Sequence, residues 1–329
     1  MTPIQSEKVV GVAQESVFGT FVAPTRFVPC IPQVRGNFKI ARPDQARGYR
    51  GQVVDVTTGY ELDITLTGEL IPDVWSTLLA GCFGSGSDSF TSVSGTANHS
   101  LVPRPQCPSY SIEEDTDIIP GEQILARQLT GCISDQFQLK ATNQSFVQVT
   151  SSLIGQKEAT PATPGNPSNV NPTFFTTIPP LDFSLLVATY KGAPTTQIMD
   201  VTLALMNHTV RVYASNGQIY AARLVPTKRE VTMTTLLDFL DTKFYSDWFT
   251  TNGVKTSGMV LTFTSLLMIP STAIPYSWQF TIPGMRPTGE YSPAAASDVI
   301  QQNLTWSVTL AGANELSALI VNDEAGALA

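Results

Sequence analysis

The sequence predicts a mainly β protein made of two tandem modules, each carrying one short flanking α-helix. Two observations carry this. An alternating segment, Tyr60-Glu-Leu-Asp-Ile-Thr-Leu-Thr-Gly-Glu-Leu70, runs into Ile-Pro-Asp-Val-Trp-Ser-Thr-Leu-Leu-Ala, and Glu230-Val-Thr-Met-Thr-Thr-Leu-Leu-Asp-Phe239 runs likewise into Leu-Asp-Thr-Lys-Phe-Tyr-Ser-Asp-Trp-Phe. Each half then closes on a strand of matching character, Phe146–Gly155 and Asn303–Gly312. The equivalences 60 to 230, 110 to 278 and 146 to 303 keep the elements in one order.

Between the halves, Gln156-Lys-Glu-Ala-Thr-Pro-Ala-Thr-Pro-Gly-Asn-Pro-Ser-Asn-Val-Asn-Pro172 is too rich in proline for a helix or a central strand. The reading is therefore module 1 over residues 1–157, a linker over 158–172 and module 2 over 173–329.

In module 1, Val9–Val12 opens the chain and a strand is expected near Arg26–Pro32. The stretch that follows holds Arg35, Lys39, Arg42, Arg47 and Arg50, five of the 19 basic residues, and reads as a long loop over 35–52. Such a loop can simply keep a sheet edge soluble. On an acidic chain, its concentrated charge favours a contact with an acidic partner surface. Residues 53–70 place Val56, Tyr60, Leu62, Ile64 and Leu66 on one face of a strand. Pro72 and Asp73 then open a helix over 72–80, ended by Gly81, with Val74, Trp75, Leu78 and Leu79 as its apolar stripe.

Residues 84–100 read as a polar loop or ragged hairpin on an outer face, before strands near 109–113, 125–131, 133–141 and 146–153. Module 2 offers strands near 181–187, 196–207, 209–214, 217–224, 230–236, 259–267, 276–282 and 304–310. Asn216-Gly217 between alternating strands signals a hairpin, because both residues tolerate positive φ. The second helix is expected over 238–249.

The composition limits the function classes. Of 329 residues 42% are apolar and only 14% charged, so the chain can build cores and leaves a charge-poor exterior suited to interfaces. A net charge of −8 opposes a dedicated nucleic-acid binder, yet suits a surface past which a polyanion slides. The start lacks the pattern of a secretory signal, and no stretch has the ~20 apolar residues of a membrane span. The four cysteines, Cys30, Cys82, Cys107 and Cys132, match no zinc spacing and read as reduced thiols. The sequons at Asn98, Asn143, Asn207 and Asn303 then read as coincidences of a Thr/Ser-rich chain.

No catalytic constellation emerges. His99, placed in the polar loop, and His208, at a strand end, lie far apart, and no nucleophile elbow, metalloprotease helix or phosphate loop occurs. Glu113-Glu-Asp-Thr-Asp117 is the best cation-site candidate, but a charged turn after a strand explains it more simply. The tryptophans read as core residues. No enzyme activity, metal or cofactor is expected.

Three stretches resemble a known family. Gly11-Val-Ala-Gln-Glu-Ser-Val-Phe-Gly-Thr-Phe-Val-Ala-Pro-Thr-Arg-Phe-Val-Pro29 is the first. Arg47-Gly-Tyr-Arg-Gly51, continuing through Gly68-Glu-Leu-Ile-Pro-Asp-Val-Trp-Ser-Thr-Leu-Leu79, is the second. Leu129-Thr-Gly-Cys-Ile-Ser-Asp-Gln-Phe-Gln-Leu139, leading to the 146–155 strand, is the third. In this order they resemble the major tail tube proteins of long-tailed, siphovirus-like bacteriophages.

The resemblance implies β-sandwich or split-barrel modules whose sheets pair into rings that stack into a tube for DNA ejection. It implies a virion tail component assembled in the host cytoplasm. Its partners would be copies of itself, the tape measure, the tail terminator and the distal tail proteins, while DNA passes through the lumen without specific binding or membrane insertion. Most such proteins contribute one module to a hexameric ring. Two modules per chain point to a trimer of pseudo-sixfold symmetry. The alternative is a β-sandwich adhesion or receptor-binding module of a virion tip or cell surface.

Overall fold

The computed structural model describes residues 8–41, 55–93, 95–119, 123–159, 178–215, 217–238, 244, 246, 249, 257–288, 294–296, 299–308, 314–324 and 326–328. The first half contains β1 (Lys8–Gln14), β2 (Arg26–Val28), β3 (Ile31–Ala41), β4 (Val56–Glu69), α1 (Ser76–Phe83), β5 (Asp88–Val93), β6 (Thr96–Leu101), β7 (Ser109–Ile119), β8 (Gln123–Thr142), β9 (Gln148–Gly155) and β10 (Lys157–Ala159). The second contains β11 (Leu186–Tyr190), β12 (Ala193–Thr195), β13 (Ile198–Met206), β14 (Val210–Val212), β15 (Arg223–Val225), β16 (Glu230–Asp238), β17 (Ser257–Met268), β18 (Pro275–Thr288), β19 (Ala294–Ala296), β20 (Val299–Val308) and β21 (Ser317–Asn322). The fold is mainly β, and no described helix is long and apolar enough to cross a membrane.

All pairings are antiparallel. In the first half they run β2–β1–β7–β8–β10 and, from the far end of β8, β8–β9–β4–β3. In the second they run β12–β11–β17–β18–β21 and β18–β20–β16–β13. Each half is thus two sheets sharing one long strand, β8 or β18. In β8 the crossover is made at Gly131, whose φ of 64° no β-branched residue would tolerate. Side chains of both sheets, such as Val12, Ile112 and Leu129 against Ile64, Val149 and Leu153, close one core.

Aligning Glu69 with Asp238, the last residues of β4 and β16, sets Leu62 on Val231, Ile64 on Met233, Leu66 on Thr235 and Trp75 on Phe244, all buried. The pairings extend the match. Ile64 faces Leu153 as Met233 faces Trp306, and Asn37 faces Glu61 as Met206 faces Glu230. On this alignment Tyr110, in β7, falls on β17, so its expected partner Trp278, in β18, belongs instead with β8.

The first helix begins at Ser76 rather than at residue 72. Residues 72–75 form a turn in which the Val74 amide donates to Ile71 O and Trp75 Nε1 donates to Glu69 O at 2.7 Å. Every residue of α1 is buried, so no polar face survives, and Gly84, at φ 117°, ends it rather than Gly81. Gly81 lies inside the helix, at a position where a Cβ would collide with the Tyr110 ring and hydroxyl. Of the second helix expected over 238–249, Asp238 is instead the last residue of β16, Phe244, Ser246 and Phe249 are helical, and the other positions lie outside the described residues. The linker expected over 158–172 also lies mostly outside them, apart from Glu158 and Ala159 in β10.

Two polar segments depart from expectation. Glu113–Asp117 is no turn but part of β7, with Glu113, Glu114 and Asp115 buried. Glu113 and Glu114 are met across the ladder: Gln128 Nε2 donates to Glu113 at 2.9 Å, and Lys8 and Arg127 reach Glu114 at 2.8 and 3.2 Å. Among the described residues no group of three or more His, Cys, Asp or Glu is placed to hold a metal. The 84–100 loop is the β5–β6 hairpin, which pairs onto β21 of the second half. His99 is fully buried there, its Nδ1 2.7 Å from Asp88 Oδ2 and its Nε2 3.1 Å from both Asn322 Oδ1 and Glu324 O. Trp75, Trp278 and Trp306 are fully buried core residues, while Trp248 lies outside the described residues.

Candidate assembly interface

The seam between the halves is a β ladder. β13 pairs with the end of β8, from Asp200 opposite Thr142 to Met206 opposite Gln136. One sheet therefore runs without interruption through β3–β4–β9–β8–β13–β16–β20–β18. Its inner face carries the core. Its other face is polar, as the pleat requires. A representative row is Gln148–Lys140–Thr202–Thr234–Thr305–Thr288. On this face the carboxylates Glu61, Asp63, Glu69, Asp200, Glu230 and Asp238 outnumber the cations Arg35, Lys39, Lys140 and Arg286.

Polar side chains lock the seam, Asn207 buried and Arg211 and Arg229 partly so. Asn207 Nδ2 donates to Cys82 O and Ser134 O, both at 3.0 Å, so one amide satisfies a helix-end carbonyl and a strand carbonyl of the first half. Arg229 donates to Phe83 O at 3.0 Å and to Arg104 O at 2.7 Å, and its Nε donates to Asn207 Oδ1 at 3.3 Å. Arg211 donates to Leu62 O and Asp63 Oδ1, each at 2.6 Å. Sequence reasoning missed this set because each contact to the first half joins residues more than 70 positions apart, as the 73 between Ser134 and Asn207 shows. The one local mark on Asn207 is its sequon, which the composition explains as a coincidence and which gives no sign that the residue is buried.

The outermost strands of the long sheet are β3 at one end and the end of β18, with β19, at the other. β3 is 11 residues long and pairs with β4. It exposes Ile31, Phe38 and Ile40 at 48%, 54% and 58%, the profile of an edge that adds another strand. Arg35 and Lys39, expected in a loop, lie in this strand on its polar side. Continued pairing of Asn37 with Glu61 and Phe38 with Tyr60 extends the hairpin past the expected end at Pro32. Arg35 stands opposite Asp63, and Lys39 Nζ lies 2.8 Å from Glu61, whose carboxylate raises the lysine pKa. Arg42, Arg47 and Arg50 lie outside the described residues.

No curated protein sequence matches the chain. A family model described as phage tail tube protein matches residues 5–308, nearly the whole length, and the chain belongs to that family.

Proposed function

We propose that this structural tail protein closes into trimeric rings that stack into the tube, each chain contributing two equivalent modules at 1–157 and 173–329. The carrying observation is the internal seam, where the second half lays β13 on the end of β8. Gln136 of β8 faces Ser152 as Thr288 of β18 faces Thr305, so the end of β18 is the counterpart of the strand that accepts β13. β3 is the counterpart of β13. Laying β3 of one copy on β18 of the next repeats the seam, and Asn37 then stands opposite Thr288.

Repetition by a fixed rotation closes a ring, which removes the exposed edges. Three two-module chains give six equivalent wall segments. The polar face of the long sheet lines the lumen, where hydroxyls and surplus carboxylates let DNA pass without holding it. Outside the ring, tape measure, terminator and distal tail proteins are the further partners of such a tube. Electron microscopy of the purified chain tests the reading. Rings or tubes are expected, and a chain that remains monomeric under every assembly condition refutes it.

A further inference from the structure

After β13 the chain does not return directly to β16. Residues 207–229 cross the seam and lie on the first half. Tyr213 Oη donates to Tyr60 O at 3.0 Å, the Tyr60 amide to Ile219 O at 2.9 Å, and Gln156 Nε2 to Ala221 O at 2.9 Å. Ala221 and Leu224 bury against Ile133, with Ile154 packed beside them. The floor under this segment includes Tyr60, Leu62, Asp63 and Ile154.

The alignment of β4 with β16 places the same floor in the second half at Arg229, Val231, Thr232 and Ser307. These four residues line a cleft of about 350 Å³, together with Thr288 and Glu315. The counterpart of residues 207–229 is residues 38–60, a connection of equal length, since Asn37 matches Met206 and Glu61 matches Glu230. The described part of that connection follows the β3–β4 ladder and exposes Phe38, Ile40 and Val56 at 54%, 58% and 46%.

We propose that this cleft receives the 38–60 arm of the next copy in the same ring. The inference rests on the ring reading and adds to it a defined lateral socket. The apolar side chains of the arm cover Val231 and Val308, and Glu315 supplies a carboxylate for the cations Arg42, Arg47 and Arg50. The arm therefore acts within a ring, rather than between rings.

The test is a short bismaleimide cross-link in assembled tubes carrying Ile40→Cys and Glu315→Cys together. Adjoining groups react at a high effective concentration, so chain-to-chain products should exceed those of either single variant by on the order of tenfold. The products should stop at one closed ring. Normal rings without such products overturn the inference and leave the ring reading intact, and a ladder longer than one ring overturns it in favour of axial docking. If the double variant does not assemble, an equal mixture of I40C and E315C chains gives the same readout. A wild-type chain that forms no rings, as seen by electron microscopy, overturns both proposals together.

Discussion

Trp278 Nε1, fully buried in the second half, donates to the backbone carbonyl of Pro72 in the first half at 3.0 Å. The indole thus crosses the seam and satisfies the turn that leads into α1. Trp278→Phe keeps an aromatic side chain but removes the Nε1 donor and strands the Pro72 carbonyl. Leaving a buried acceptor unmet costs about 1–3 kcal/mol, and the lost ring volume adds to it. Equilibrium urea unfolding should show a lower midpoint for the variant.

Asn207 and Arg229 form the second clasp. Asn207→Ala leaves Cys82 O and Ser134 O without their shared donor. The expected loss is again about 1–3 kcal/mol for each stranded carbonyl. Arg229→Ala should be non-additive with it, because Arg229 Nε binds Asn207 Oδ1. A double-mutant cycle in urea measures the coupling, and strict additivity would count against a joined network.

Gly81→Ala should destabilise the protein although alanine is the better helix former by about 1 kcal/mol. The new Cβ falls 2.4 Å from Tyr110 Oη, inside a fully buried contact where Tyr110 donates to Thr77 O at 3.1 Å. Overpacking of this kind costs about 1–3 kcal/mol. A thermal midpoint equal to or above that of the wild type would refute this packing account.

Stability should fall as the solution becomes alkaline. Burial, followed by the neighbouring Asp323 and Glu324 carboxylates, pushes Asp73 up to about 8 from 3.8. Burial, then Glu113 and Glu114, pushes Asp115 up to about 7 from 3.8. Both groups bind their protons more tightly when folded. Their contribution is complete below the unfolded value and is lost as pH rises through about 7 and 8. Urea midpoints from about pH 5 to pH 9 should therefore decline, and Asp73→Asn should flatten the upper part of the decline.

Much of the fold was legible because it is written in local periodicity. The 60–70 and 230–238 alternations mark β4 and β16. The Asn216-Gly217 signal misleads, because the strand expected over 217–224 is only Arg223–Val225, and its partner β14 ends at Val212, so no tight Asn-Gly turn joins the two. What stayed hidden depends on distant partners. A Glu-Glu-Asp run reads as a turn by itself, and is accommodated in a strand because Gln128, Arg127 and Lys8 meet Glu113 and Glu114. His99 looked like a loop residue, since the C-terminal segment that buries it arrives from more than 220 positions away, 223 at Asn322. Among the candidate contact residues, charge pointed to Arg35 and Lys39. Their place on an edge strand follows from β4, whose continued pairing no local signal announces.

The symmetry of one ring, determined by cryo-electron microscopy of assembled tubes, tests the central claim most directly. Three chains per ring are predicted, with β3 of each laid on the end of β18 of the next and the polar face of the long sheet toward the lumen. Six chains per ring, or that face turned outward, would contradict the account.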